Sequence, residues 1–156
     1  MNGFSFAFVH HMIPYVRMTR AGKYVSPRAG RYLASQSVLK NLMIERVKEL
    51  ADKGQTLYAD MINARVDGKD IQVEIMVPIP PKETFSVEIN FFFAPKKSMH
   101  YCDLDNLVKA VMDAGNKVLF TDDRWCDSIT ASRIQADEPI TNNDHEVYVE
   151  VEFTWL

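Results

Sequence analysis

Six charged side chains that could bind a cation or a phosphate are concentrated in the second half of this 156-residue chain. They are Asp103, Asp105, Lys109, Asp113, Asp122 and Asp123. Carboxylates that lie close together repel one another unless a cation joins them. The cluster therefore predicts a metal site.

The spacing of the residues around this cluster predicts a helix. Leu104, Leu107, Val108 and Val111 recur at i, i+3, i+4 and i+7, which makes one apolar stripe. Asp105, Lys109 and Asp113 follow one another at intervals of four residues and lie on a different face of the same helix.

The ends of this helix are also indicated by residue type. Asp103 stands at its start, where the carboxylate can either cap backbone N–H groups or turn towards a cation. Gly115 and Asn116 tolerate the left-handed conformation of a C-cap, so we expect the helix to end there. The chain can then double back and bring Asp122 and Asp123 to the start of the helix.

A solvated helix surface is the alternative interpretation of the Asp-Lys-Asp ladder. Such pairs are common, and each contributes only roughly a few tenths of a kcal/mol. The number of acids argues against this interpretation, because a helix needs only one cap whereas an Asp pair returns about twenty residues later.

Residues 103–113 and 118–123 resemble the core of the RusA family of Holliday junction resolvases, which carry an Asp-x-Asp-Asn-x-x-Lys helix followed by an Asp-Asp turn. Residues 17–27 are similar to the basic loop that precedes the first helix of that family. Two positions depart from the pattern: Tyr101-Cys102 replaces the usual Lys-Pro, and Trp125-Cys126 replaces Gln and an aliphatic residue. Neither departure removes a candidate ligand, although both bear on substrate preference.

The resemblance implies a metal-dependent endodeoxyribonuclease that resolves Holliday junctions, or other branched DNA, by paired phosphodiester cleavage. It also implies a homodimer bound to a four-way junction. Asp103, Asp105 and Asp123 would hold one or two Mg²⁺ ions, with Mn²⁺ as the alternative, and the metal would activate water and stabilise charge on the phosphate. Lys109 would orient the water or neutralise the phosphate.

Some alternatives stay open at this point. Asp113 and Asp122 are second choices as ligands, because Asp113 lies two turns into the helix and adjacent residues such as Asp122 and Asp123 point in different directions. A flap- or fork-specific nuclease on the same scaffold is the alternative enzyme. A non-catalytic DNA-binding dimer is the alternative outside catalysis.

The distribution of charge adds a second functional surface. Residues 1–50 contain eight Lys or Arg against two Glu, a local net charge of +6, which leaves −9 for the remainder of a chain whose total is −3. This asymmetry favours a phosphate-binding surface in the N-terminal third. The candidate DNA-binding residues are Arg17, Arg20, Lys23, Arg28 and Arg31.

Length and composition predict one domain, residues 1–156, with a substantial core. No apolar run reaches the roughly eighteen residues of a membrane span, and the N-terminus lacks the features of a secretory signal. The two cysteines do not form a disulfide framework. We therefore expect a cytoplasmic protein without membrane contact.

Hydrophobic periodicity supplies the elements that must position these residues. Alternating patterns predict strands at 4–8, 85–93, 129–134 and 147–155, and a helix is predicted from Arg28 to Ala51. Within that helix Leu33, Val38, Leu42 and Val47 are expected to be buried. The resulting fold is a single α+β domain: a mixed, largely antiparallel sheet with two main helices on one face, in the order β-α-β-β-α-β-β. The segment around 57–78 is expected to be an added hairpin that turns at Asp67-Gly68.

Overall fold

The computed structural model describes residues 2–13, 15, 27–97, 99–101 and 103–156. The elements in this part of the chain are β1 (Asn2–His10), α1 (Pro27–Asp52), β2 (Tyr58–Val66), β3 (Lys69–Val77), β4 (Phe85–Phe93), α2 (Leu104–Gly115), a turn of 3-10 helix (Asp123–Trp125), β5 (Cys126–Gln135) and β6 (Val147–Trp155). The predicted α+β class is confirmed. Three strands, rather than two, separate the helices because the 57–78 segment supplies both strands of a hairpin.

The main sheet has four strands in the order β1-β6-β4-β5. Strand β6 is antiparallel to both β1 and β4, whereas β4 and β5 are parallel. Parallel neighbours need a crossover connection, and α2 lies within the connection between β4 and β5. The sheet is therefore mixed and largely antiparallel, as predicted, and the candidate metal helix belongs to its parallel part.

The core lies on one face of this sheet because β4 and β6 alternate strictly. Every second residue is buried from Phe85 to Phe93 and from Val147 to Trp155. Both helices add apolar side chains to the same cluster, such as Met43 from α1 and Leu107 from α2. The opposite face carries exposed acidic residues such as Glu150. The two helices therefore cover a single face, as the sequence predicted.

The boundaries of α1 lie within one residue of the prediction. At its C-terminus Gly54 has φ of 96°, and the N–H of Gln55 donates to the carbonyl of Leu50 at 2.9 Å. This left-handed glycine and six-to-one hydrogen bond form a Schellman cap. Neither α1 nor any other helix in the described ranges is long and apolar enough to cross a membrane.

The buried stripe of α1 differs from the prediction, because only Val47 of the four residues predicted to be buried is fully buried. Val38 was predicted to be buried but is 54% exposed, whereas Leu39 is completely buried. The stripe runs through Ala29, Tyr32, Leu39, Met43 and Val47. Because a helix repeats every 3.6 residues, a stripe through Leu39 and Met43 leaves Val38 on the solvent side. Leu33 and Leu42 are half-buried at the edges of the stripe.

Strands β2 and β3 form a two-stranded sheet of their own. Asp67 and Gly68 both have positive φ angles, 51° and 76°, and connect Val66 to its partner Lys69 in a two-residue turn. Positive φ at both turn positions is the type I′ geometry that suits the twist of a hairpin. In the described part of the chain, neither strand packs extensively against another element. The predicted hairpin is confirmed, and it forms an arm beside the main sheet.

We predict that this arm is dispensable for folding of the main sheet. Replacing residues 61–74 with Asn-Gly would leave Asp60 and Ile75, which are partners in the hairpin, on either side of a two-residue turn. Since a two-stranded hairpin is barely stable alone, we expect the free energy of unfolding to change by less than about 1 kcal/mol. Urea unfolding followed by circular dichroism measures this. Loss of a cooperative transition would mean that the arm is part of the folding unit.

Candidate active site

The first turn of α2 presents two carboxylates that the helix itself does not use. Asp103 is the N-cap residue, with φ of −70° and ψ of 145°, but its side chain makes no capping hydrogen bond. Its backbone carbonyl accepts from the N–H groups of Asn106 and Leu107 at 3.2 and 3.3 Å. Asp105 is exposed and has no hydrogen bond or ion pair to another described residue. The capping role considered for the Asp103 carboxylate is therefore absent.

The apolar stripe of α2 lies as predicted. Leu107 and Val111 are buried in the core, and Leu104 and Val108 pack against its edge. This arrangement fixes the rotation of the helix about its axis. The opposite side, which carries Asp105 and Lys109, is left exposed.

A tight reversal after α2 returns the chain towards the exposed side of the helix. The N–H groups of Val118 and Leu119 donate to the carbonyl of Gly115, and the N–H of Lys117 donates to Phe120. The left-handed residue is Lys117, with φ of 65°, whereas Asn116 is extended. The predicted end of the helix at Gly115 is confirmed, but the left-handed conformation expected at Gly115 or Asn116 lies instead at Lys117.

Gly115 is needed in the reversal for a different reason. A Cβ atom at this position would lie 3.0 Å from Cδ1 of Leu119 and 3.2 Å from Cε1 of Phe120. Both of these side chains are buried, and the Phe120 ring centroid lies 5.1 Å from that of Phe85. The absence of a side chain therefore lets the returning segment pack closely against the end of the helix.

The reversal brings two predicted ligands to one pocket. A pocket of about 240 Å³ is lined by the acids Asp105, Asp113 and Asp123, by Lys109, and by Val108, Met112, Cys126 and Ile129. Asp105 and Asp123 therefore share a pocket although they lie on different elements. Asp103 is not among its lining residues, and no group of three or more His, Cys, Asp or Glu side chains in the described ranges is arranged to hold a metal ion.

The donor atoms in this pocket suit a hard divalent cation. Mg²⁺ keeps several water molecules and is commonly held by one or two carboxylates together with phosphate oxygens of the substrate. Asp105 and Asp123 supply two carboxylates on one pocket. The pocket therefore fits an ion that depends on substrate to complete its coordination better than one that needs a closed cage of protein ligands.

The structure distinguishes the two adjacent acids of the Asp122-Asp123 pair. Asp122 caps the 3-10 helix: its Oδ1 accepts from the backbone N–H of Arg124 and its Oδ2 accepts from Nε of the same residue, both at 2.9 Å. These hydrogen bonds lower the pKa of the Asp122 carboxyl, the backbone bond contributing most. Asp123 lines the pocket. Asp122 is therefore bonded to Arg124, while Asp123 lines the same pocket as Asp105.

Lys109 is positioned by residues from both helices. Its Nζ lies 3.5 Å from Oδ1 of Asp113 and 4.7 Å from the centre of the Tyr15 ring. The hydroxyl of Tyr32, on α1, donates to Oδ2 of Asp113 at 3.2 Å. Burial raises the pKa of the Tyr32 hydroxyl well above its usual range, and Asp113 adds to the effect. Tyr32 therefore remains a hydrogen-bond donor at physiological pH.

Asp113 thus uses both carboxylate oxygens within the protein, one for Lys109 and one for Tyr32. The sequence offered it only as a second-choice ligand and did not indicate a role for Tyr32. The two residues are separated by 81 positions, and no local spacing connects them. The apolar stripe of α1 does identify Tyr32 as a core residue, but its hydroxyl partner becomes visible only when the helices pack.

The basic residues fall into two groups. Arg17, Arg20 and Lys23 lie outside the described residues. Arg28 and Arg31 are exposed in the first turns of α1 and line a second pocket, apart from the one that contains Asp105.

Comparison with known proteins identifies the family to which the chain belongs. The family model described as endodeoxyribonuclease RusA matches residues 23–152, which include both helices, the hairpin, and the acidic side chains of the first pocket. None of the curated proteins matches the chain. The family match covers most of the 156 residues, and the chain therefore belongs to the RusA family of endodeoxyribonucleases.

Proposed function

We propose that this protein is a divalent-metal-dependent endodeoxyribonuclease that resolves four-way DNA junctions, as its membership of the RusA family implies. The observation that carries the proposal is the pocket in which Asp105 and Asp123 meet beside Lys109. Neither the helix nor the 3-10 turn uses these two carboxylates in a described hydrogen bond to its backbone. A protein that only bound DNA would gain nothing from acids that repel phosphates.

The metal proposal assigns Asp105 and Asp123 as ligands in the pocket, with Asp103 adding a third carboxylate from the start of α2. A bound Mg²⁺ supplies Lewis acidity towards a phosphate oxygen and lowers the pKa of a coordinated water. Because the pocket is open and has few protein donors, substrate oxygens would complete the coordination of a bound ion. Metal affinity is then expected to rise when DNA is bound.

Lys109 acts on the phosphate in this proposal. Its side chain is 46% exposed, and its ammonium is paired with Asp113 one turn further along the helix. A cation fixed in this way stabilises the negative charge that develops on the phosphate during displacement, and it requires little reorganisation at the moment of reaction. Tyr32 and Asp113 act as positioning residues, because they touch Lys109 or each other rather than the substrate.

The proposed active form is a homodimer. A four-way junction has two-fold symmetry, and its resolution needs two related cuts. A symmetric pair of chains would place one active pocket at each cut. The basic residues of the N-terminal third, including Arg17, Arg20 and Lys23, contribute salt-dependent affinity for the DNA backbone in this arrangement.

The first test replaces Asp105 with Asn, which preserves size and removes one charge. We expect the cleavage rate of a saturating four-way junction in Mg²⁺ to fall by about a hundredfold or more, because the pocket loses a proposed ligand. The free energy of unfolding should change by about 0.5 kcal/mol or less, since the side chain is exposed and unpaired among the described residues. Strand-specific mapping of the products measures cleavage.

Asp127→Asn is the matched control, because Asp127 is also exposed, lies one residue beyond Cys126, and does not line the pocket. It should cleave like the unmodified protein. Equal cleavage by Asp105→Asn would overturn the assignment of this ligand. Binding of the junction without cleavage by the unmodified protein, in either Mg²⁺ or Mn²⁺, would favour the DNA-binding dimer, and preferred cleavage of flaps or forks would favour the alternative nuclease.

A second test separates Asp122 from Asp123. Asp123→Asn should weaken Mn²⁺ binding, measured by calorimetry with bound DNA, because a proposed ligand is lost. Asp122→Asn should leave Mn²⁺ binding nearly unchanged and lower the free energy of unfolding by up to about 1 kcal/mol, since Asn still caps but loses the ion pair with Arg124. The reverse pattern would exchange the roles of the two acids.

A further inference from the structure

A second pocket lies at the N-terminus of α1 and is rich in positive charge. It has a volume of about 230 Å³ and is lined by Arg28 and Arg31 from α1, by His11, Met12 and Ile13 after β1, and by Lys97 and Tyr101 from the loop before α2. We call this the basic pocket. Its lining residues come from three separate segments of the chain, so the tertiary structure, rather than any local cluster, brings the cations together.

Lys97 is held in place from several sides. Its Nζ donates to Nδ1 of His145 at 2.9 Å and lies 5.0 Å from the centre of the Tyr101 ring. The Tyr101 hydroxyl in turn donates to the carbonyl of Met12 at 2.9 Å. The amide of Gln135, on β5, donates to the backbone carbonyl of Lys97 at 3.2 Å. The ammonium is therefore held in position without a carboxylate partner among the described residues.

The basic pocket carries an excess of positive charge, which favours binding of an anion. Arg28, Arg31 and Lys97 form no ion pair with any carboxylate in the described ranges, and no acid lines the pocket. The rings of His11 and His145 also face each other, with centroids 5.4 Å apart. Three like charges gathered in one pocket repel one another until an anion enters, and phosphate is an anion that both Arg and Lys bind.

The pocket that contains Asp105, Asp113 and Asp123 is called the acidic pocket. Short stretches of chain connect the basic pocket to it. Arg31 precedes Tyr32, which bonds to Asp113 of the acidic pocket. Tyr101 lies two residues before Asp103, at the start of α2. Arg31 and Tyr101 of the basic pocket are therefore close in sequence to Tyr32 and Asp103, which belong to the proposed active site.

Resting on the proposed function, we propose that the basic pocket binds a backbone phosphate of the DNA other than the one being cleaved. Lys97 is the central contact, and Arg28 and Arg31 contribute from α1. A contact of this kind positions the substrate and fixes its register on the protein, while the acidic pocket carries the chemistry. Lys97 is consequently a DNA-binding residue that the sequence did not indicate.

His11, which lines the basic pocket, makes DNA binding dependent on pH in this proposal. Burial lowers the pKa of His11 below 6.5, with further lowering by His145 and Lys97, while Glu146 opposes them. His10 lies next to it in the chain, and Arg28 and Arg31 line the same pocket. Protonated His11 adds a positive charge for the phosphate, so DNA binding is expected to tighten as the pH falls through this lowered pKa.

The test compares Lys97→Gln with Lys96→Gln. Both changes remove one positive charge at neighbouring positions, but Lys96 is exposed and does not line the basic pocket. Binding of a synthetic four-way junction is measured in EDTA over a series of salt concentrations, so that cleavage is not required. Lys97→Gln should weaken binding by about five- to tenfold and lower the slope of log affinity against log salt by about one, whereas Lys96→Gln should weaken it less than about twofold.

Two further measurements distinguish the loss of a shared phosphate contact from a general folding defect. Arg31→Gln should also weaken binding, and the double variant with Lys97→Gln should lose less than the product of the single effects if both residues hold one phosphate. His11→Gln should abolish the extra tightening that the unmodified protein shows as pH falls from about 7.5 to about 5.5.

The outcomes distinguish this proposal from the proposed function. Equal weakening by Lys97→Gln and Lys96→Gln would overturn the basic pocket even if the protein cuts junctions normally. Junction binding that shows the predicted difference without any cleavage would support the basic pocket and overturn the nuclease proposal. Failure of the unmodified protein to bind the junction would overturn both.

Discussion

The packing of the reversal after α2 is the interaction on which the active site depends. Val118, Leu119 and Phe120 are buried, and burial of a large apolar side chain contributes about 1.5–3 kcal/mol. This burial anchors the segment against β4 and the end of α2, where Gly115 leaves room for it. The carboxylates of Asp105 and Asp123 repel each other, and the anchored reversal holds Asp123 in the pocket despite this repulsion. The free energy of apolar burial thus offsets the electrostatic repulsion at the surface.

Acidic side chains and basic side chains line two different pockets of the protein. Acids collect where α2 is exposed, and cations collect where α1 begins near the loop before α2. Within the acidic pocket Lys109 is paired with Asp113, and Asp113 accepts a hydrogen bond from Tyr32. The Tyr32 hydroxyl remains protonated because burial and Asp113 both raise its pKa. Charge separation of this kind suits a polyanion whose phosphates need cations along most of the backbone but a metal site at the bond that is cut.

The hairpin formed by β2 and β3 stands outside this arrangement. Asp67 and Gly68 provide the turn, and the arm packs little against the described remainder of the chain. The four-stranded sheet, the two helices and both pockets are complete without it. The arm therefore presents a surface of its own and lines neither of the two pockets.

Local sequence patterns determined the elements of this protein. Alternation identified β4 and β6, the Asp67-Gly68 turn identified the hairpin, and the stripe of α2 correctly separated Leu107 and Val111 from Asp105. These features depend on periodicities of two or 3.6 residues, which are legible within a short window. The stripe of α1 was less clear, because apolar residues lie on several of its faces, and Val38 was misassigned to the core.

The partners of the charged side chains were decided only by the tertiary structure. The sequence named the acids of the cluster, but folding separated Asp122, which bonds to Arg124, from Asp123, which lines the pocket, and it gave Asp113 to Tyr32 and Lys109. Folding also placed Lys97 in the same pocket as Arg28 and Arg31, which lie far from it along the chain. Hydrogen bonds and ion pairs act over a few ångströms in space, and distances of that kind between residues remote in sequence are set by the packing of the core.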